Sequence, residues 1–261
     1  MTNIKLQLPK TLRNIKLRDF QKYSNIIESN PDADRDFLEI KIMEIFCGLK
    51  YKDISSLPVG IFDDATSWMM SMFENKTPLV NRFNMIGSDG VEVEFGFIPN
   101  LDKITMGEYI DLNNYFGSDT DLHKAMAVLY RPIHPSYKDK DSYRIGSYEG
   151  TSTHSDIMKD MPLDIALGAR VFFFAFRDEI INSYDELFAV SNTGGNNSIG
   201  GREEGFNSKY EWYKELHALA GGEALRINEA TLIPIHEAMI WLQYTKEKII
   251  LDNEAIKKNF K

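Results

Sequence analysis

The residues of this 261-residue chain whose chemistry would matter most if they converged are five histidines, one cysteine and a few adjacent acidic pairs. The histidines are His123, His134, His154, His217 and His236. Protein zinc sites draw their ligands from short, set spacings, and no His-Glu-x-x-His or Cys-x-x-Cys occurs here. His154 and Asp156 are two possible ligands, with no third nearby, so no metal site is expected. Cys47 lies between Phe46 and Leu49. A nucleophilic thiol needs a base and an electropositive setting, and this one reads as a small core residue. Asp63-Asp64 and Glu203-Glu204 are sequence neighbours, which diverge on a helix, whereas acid–base chemistry needs two groups facing one substrate. Gly194 to Gly205 is glycine-rich but carries no Gly-Lys-Ser/Thr and follows no strand, so it is not a phosphate loop. No nucleophile elbow or kinase signature is present. The expectation is a non-enzyme with no catalytic, cofactor-binding or metal-binding residue.

Composition narrows the classes further. Hydrophobic residues are 43% and charged residues 26%, enough to build a core and to exclude wholesale disorder. The length allows one large domain, or one domain and an appendage. Lys and Arg number 30 against 39 Asp and Glu, a net charge of −9, and the excess lies before Ser191. Such a surface repels phosphate backbones, so direct nucleic-acid binding is not expected. One cysteine allows no intramolecular disulfide, which fits a reducing compartment. The first ten residues lack an apolar leader core. The most apolar stretch, Ile165 to Phe176, contains Arg170 and falls short of the roughly 20 residues a membrane span needs. A soluble cytoplasmic protein without a membrane partner is expected.

The elements that would position any site follow from periodicity. Leu17, Phe20, Tyr23 and Ile27 form a helical stripe. A second helix runs from about Asp34 to Leu49 on Leu38, Ile42, Ile45, Phe46 and Leu49. After a break at Ile54 to Pro58, a third carries Ile61, Ala65, Trp68, Met69, Met72 and Phe73. These three should pack together. Phe83 and Met85, then Val91, Val93, Phe95 and Phe97, alternate with period two around Gly87-Ser88-Asp89-Gly90, which predicts a β-hairpin. Thr105 and Glu108 form a capping-box pattern. Gly117-Ser118-Asp119 opens a helix on Leu122, Ala125, Met126 and Leu129 that Pro132 stops. Tyr143 to Tyr148 reads as a short strand. Pro162 opens a long helix to about Phe188, apolar nearly all round at Val171, Phe172, Phe173, Phe174 and Phe176, which should be central and buried.

Ser191 to Ser208 holds five glycines and four asparagines and reads as a flexible linker. Beyond it, Trp212, Tyr213, Leu216 and Leu219 form a short helix ending at Gly221-Gly222. Pro234 opens another on Ile235, Met239, Leu242 and Ile249, and Asn253 to Lys261 looks like a fraying end. The expected fold is α+β: a predominantly helical main domain with a β-hairpin over 1–190, a linker over 191–208 and a small helical segment over 209–261.

Several of these segments resemble a known family. Leu17-Arg18-Asp19-Phe20-Gln21-Lys22-Tyr23, Gly96-Phe97-Ile98-Pro99-Asn100-Leu101-Asp102, Gly107-Glu108-Tyr109-Ile110-Asp111-Leu112, Ala127-Val128-Leu129-Tyr130-Arg131-Pro132-Ile133 and Met161-Pro162-Leu163-Asp164 resemble proteins encoded in bacteriophage virion-morphogenesis gene clusters. Trp212-Tyr213, Leu219-Ala220-Gly221-Gly222-Glu223, Asn228-Glu229-Ala230 and Trp241-Leu242-Gln243-Tyr244 are similar to the helical second half of the tail assembly chaperones of long-tailed phages. The resemblance implies a protein of the host cytoplasm that binds the tape-measure protein and tail-tube subunits. The alternative is a structural virion protein, such as a head–tail connector, ring or inner capsid component, contacting neighbouring virion proteins. Chaperones of this kind often make the second segment by ribosomal frameshifting, whereas here both parts stand in one reading frame. No cofactor is implied, and a homo-oligomer is compatible with either reading. The partner-contact candidates are Met69 and Met72, whose flexible side chains repack easily, with Phe97, Trp212, Tyr213 and Trp241.

Overall fold

Helix α1 (Leu17–Ser29) starts where the Leu17 and Arg18 amides donate to the Met161 and Lys159 carbonyls. Helix α2 (Arg35–Phe46) starts at Asp34, whose carboxylate accepts from the Phe37 amide at 2.7 Å. A short α3 (Tyr51–Ile54) leads into the expected break, after which α4 (Val59–Phe73) begins. These relations come from a computed structural model, which describes residues 6–87, 90–134, 142–188 and 212–259. The three longer helices meet through rings: Tyr23 on Phe46 at 5.4 Å, Phe46 on Phe73 at 6.1 Å and Phe20 on Phe73 at 6.3 Å. Ala65, Met69 and Met72 of α4 are buried, while Ile61 and Trp68 are exposed. The Trp68 indole N–H instead donates to the Pro9 carbonyl at 3.0 Å.

The hairpin forms from β1 (Arg82–Ile86) and β2 (Glu92–Phe97), antiparallel with Phe83 opposite Phe95 and Met85 opposite Val93. The Gly87 amide donates to the Val91 carbonyl at 2.7 Å, and Gly90 has φ +80°, a value glycine adopts without strain. Helix α5 (Met106–Tyr115) follows, opened by the Thr105–Glu108 box: Glu108 accepts from the Thr105 amide at 2.8 Å, and the Thr105 hydroxyl accepts from the Glu108 amide at 3.2 Å. Helix α6 (Leu122–Leu129) then runs directly into a third strand, β3 (Tyr130–Pro132), which pairs antiparallel with β2. The sheet order is β1-β2-β3. Proline has no amide donor and is tolerated at this edge. One sheet face buries Phe83, Met85, Phe95, Phe97 and Tyr130, and Tyr130 takes Phe83 and Phe97 edge-on at 5.0 and 5.3 Å.

The expected strand at Tyr143 to Tyr148 reduces to a single bridge, Ile133 to Ile145. Backbone hydrogen bonds flank that bridge, from the His134 amide to the Arg144 carbonyl at 2.8 Å and from the Gly146 amide to the Pro132 carbonyl at 3.2 Å. The Tyr143 hydroxyl donates to the Phe97 carbonyl at 2.7 Å, and its ring lies where a side chain at Gly96 would stand. A short α7 (Ser155–Met158) precedes α8 (Leu163–Ser183), which ends earlier than expected and is followed by α9 (Asp185–Phe188). Helix α8 is not buried all round: Ile165, Ala166, Ala169 and Phe173 are inside, Val171 is exposed on the other side, and Phe172 is nearly half exposed while its ring packs edge-on against Phe97 at 5.7 Å.

Residues 212–219 are helical (α10), and Gly221 and Gly222, with φ +65° and +85°, end them as the paired glycines suggest. Helix α11 (Ile227–Thr231) and α12 (Ile235–Asn259) complete the chain. The expected fraying from Asn253 is corrected, since α12 continues to Asn259. The fold is therefore α+β and mainly helical. Its contacts divide the chain into two units, Met1–Pro99 with Leu112–Phe173, and Asn100–Asp111 with Phe174–Lys261. This division differs from an expected boundary at 191–208, a segment that lies outside the described residues. Its basis is backbone pairing within the second unit. The Met106 amide donates to the Ile233 carbonyl and the Ile235 amide to the Ile104 carbonyl, each at 2.8 Å.

Candidate functional site

Reactive groups in the first unit are tied up in structure. His123 is buried, and burial lowers its pKa. Its Nδ1 lies 3.0 Å from the Gln21 amide nitrogen, which also donates to the Asp119 and Thr120 carbonyls. The Ser24 hydroxyl donates to Asp119 Oδ2 at 2.7 Å, and Arg170 Nη1 donates to Asp119 Oδ1 at 2.7 Å. A nucleophilic triad would place the serine on the histidine. Here the serine bonds directly to the carboxylate and the histidine to an amide, so the cluster fastens α1, the 119–123 turn and α8 to one another. It also accounts for a cation inside the most apolar stretch of the chain.

The other candidates divide similarly. His154 packs edge-on against Phe95 at 6.0 Å, and burial lowers its pKa. Asp156 accepts from the Lys159 ammonium at 2.7 Å, which holds its pKa below the ordinary carboxylate value. Burial pushes the Cys47 thiol up to about 11, and its sulfur lies 3.9 Å from that of Met43. Among the described residues no group of three or more His, Cys, Asp and Glu is placed to hold a metal ion. In the second unit His236 joins Tyr184, whose hydroxyl lies 2.9 Å from Nδ1, and Asp102, 3.6 Å from Nε2. The latter distance is too long for a hydrogen bond, and burial raises the pKa of the Tyr184 phenol. This trio joins the starts of α9 and α12 to the segment around residue 102; periodicity gave no sign of it.

No protein-family model, curated protein or solved structure matches this chain. Function therefore rests on what its own surface offers. Of the six expected contact residues, Met69, Met72 and Phe97 are buried and are corrected to core. Met69 and Met72 face inward from α4, and Phe97 sits on the buried sheet face. Trp212 is half-buried, edge-on to Tyr109 at 5.6 Å. Tyr213 and Trp241 are exposed.

Trp241 is one of several large apolar residues exposed along α12. Helix α12 buries Ile235, Ala238, Met239 and Leu242. The Lys246 ammonium donates to the Glu186 and Leu187 carbonyls at the end of α9, and the Gln243 side chain donates to the Glu186 carboxylate at 3.1 Å. Residues 247–258 are then all exposed. Ile240, Trp241, Tyr244, Ile249, Ile250, Leu251 and Ile256 are each more than half exposed. At about 100° per residue, Ile249 and Ile256 continue the stripe that Leu242 belongs to, Ile240, Tyr244 and Leu251 lie on the opposite side, and Trp241 lies between the two. Contiguous exposed apolar surface of this kind marks a binding site for protein or membrane. No helix among the described residues is long and apolar enough to cross a membrane.

Proposed function

We propose that this chain is a bacteriophage tail assembly chaperone of the host cytoplasm, which binds the tape-measure protein and tail-tube subunits during virion morphogenesis. The observation that carries the reading is the far half of α12, where large apolar residues stand exposed on two sides of one helix. An amphipathic client helix docks by laying its apolar side on such a surface. The resemblance of the segments around Trp212 and Trp241 to the second half of these chaperones supports the same assignment. So does the acidic composition, which keeps a protein with exposed apolar surface soluble.

The test is co-expression with the tape-measure protein encoded in the same phage genome. The tape-measure chain should become soluble and co-purify, and Ile249→Asp with Ile256→Asp should abolish both effects while leaving the chaperone folded. A tape-measure chain that stays insoluble, together with this chain at fixed copy number in purified virions, would overturn the reading in favour of a structural virion component.

A further inference from the structure

We infer that residues 6–9 are a detachable strap, filling in cis a groove that takes an extended segment of a partner protein, with apolar residues two positions apart and a proline behind them. Leu8 precedes Pro9, which keeps it out of the helical region, so the strap runs extended. Leu6 and Leu8 are half-buried, Gln7 is exposed between them and Pro9 is buried. Both leucines pack against a buried cluster to which three helices each give one residue: Met43 of α2, Ile54 of α3 and Ala65 of α4. Pockets for alternate side chains are how a groove recognises an extended chain.

The hold on the strap is slight. Among the described residues, no backbone–backbone hydrogen bond joins residues 6–9 to the helices beneath them. The Trp68 indole N–H of α4 donates to the Pro9 carbonyl at 3.0 Å. A donor that reads a main-chain carbonyl holds whichever residue stands there, and aromatic side chains line the grooves that take proline-rich segments. The fixed chain begins immediately after the strap: the Lys10 and Thr11 amides donate to Asn14 Oδ1, each at 3.3 Å, and Leu12 and Ile15 are buried. Lifting the strap therefore gives up the seats of Leu6, Leu8 and Pro9 and the Trp68 bond, and leaves α1 anchored. An emptied groove would set Met43, Ile54 and Ala65 against water, which is unfavourable. The strap thus leaves by exchange, when another segment of the same pattern takes its seats, and covers the groove until then. This groove belongs to the first unit and does not depend on the client surface proposed for α12.

Binding of a fluorescein-labelled peptide of residues 5–11 to the full chain, read by anisotropy, tests it. On the wild-type chain the peptide competes with the strap in cis. Leu6→Ala with Leu8→Ala weakens the strap and leaves the groove intact, so this double variant should bind the peptide roughly tenfold more tightly or better. Adding Trp68→Phe to the double variant should lower that affinity about fivefold. A peptide carrying Leu6→Ser and Leu8→Ser keeps the same charge and should bind neither chain. The double variant should retain the circular dichroism of the wild type and melt cooperatively. A double variant that binds the peptide no more tightly than the wild type, or that loses cooperative melting because the two leucines are indispensable core, would overturn the inference. Wild-type dimers that the peptide dissociates in sedimentation would overturn the choice of partner, in favour of strap exchange between two copies of this chain.

Discussion

The cluster around Asp119 and the far half of α12 treat water in opposite ways. Around Asp119, groups withdrawn from solvent are matched to one another: Ser24 and Arg170 to the carboxylate, Gln21 to His123 and to two carbonyls. Along α12 beyond Lys246, apolar side chains that would ordinarily be covered are left in water. A buried polar group must be satisfied internally, or the fold loses its desolvation cost. An exposed apolar group costs the fold little and becomes favourable when a second protein covers it. The first region therefore serves the stability of this chain, and the second is the surface proposed above to serve association.

Substitutions can break that contrast, and the largest effect is expected in the sheet core. Phe95→Ala removes a fully buried ring stacked on Phe83 at 5.9 Å and should cost about 3–5 kcal/mol in denaturant unfolding. Gly168→Ala comes next. A Cβ there would stand 2.3 Å from the Pro78 carbonyl oxygen, backbone against backbone, and the shift it forces should cost about 3 kcal/mol. Asp119→Ala deletes the acceptor of Ser24 and of an Arg170 hydrogen bond and should cost about 2 kcal/mol, again read by denaturant.

Acidification should act on the same unit. Burial holds the pKa of His123 and of His154 below the ordinary 6.5, so the folded state binds fewer protons than the unfolded one. Their contribution is complete above pH 6.5 and is lost as pH falls through the folded values. Melting temperature should therefore drop on acidification below that point, and His154→Phe should flatten the drop. The smallest effect sharpens the comparison most. Leu251→Ser should change unfolding free energy by no more than about 0.5 kcal/mol, while weakening association.

Parts of this were readable in advance. The alternation around Gly87 to Gly90 led to the hairpin, because one buried sheet face demands it. Asp34 and the Thr105–Glu108 box marked helix starts, because a cap is a local device. Strand β3 was not readable: three residues at the end of a helical pattern pair with a partner more than thirty positions away. Nor was the grouping of residues 100–111 with the C-terminal helices, which rests on backbone hydrogen bonds that leave no mark on side-chain type. Arg170 was a usable signal, since a cation in an apolar helix requires a carboxylate partner. Met69 and Met72 misled, because a flexible side chain suits a core gap as well as a contact surface. Trp241 lies on the helix that carries these exposed apolar residues, but a single-stripe reading ended at Ile249 and passed over Ile250, Leu251 and Ile256.

Hydrogen exchange along α12, measured on the chain alone and with the tape-measure protein added, tests the central claim most directly. Amides of residues 247–258 should exchange quickly in the dilute chain and become protected on binding, while those around Asp119 stay unchanged. Protection that appears elsewhere and spares α12 would contradict the account.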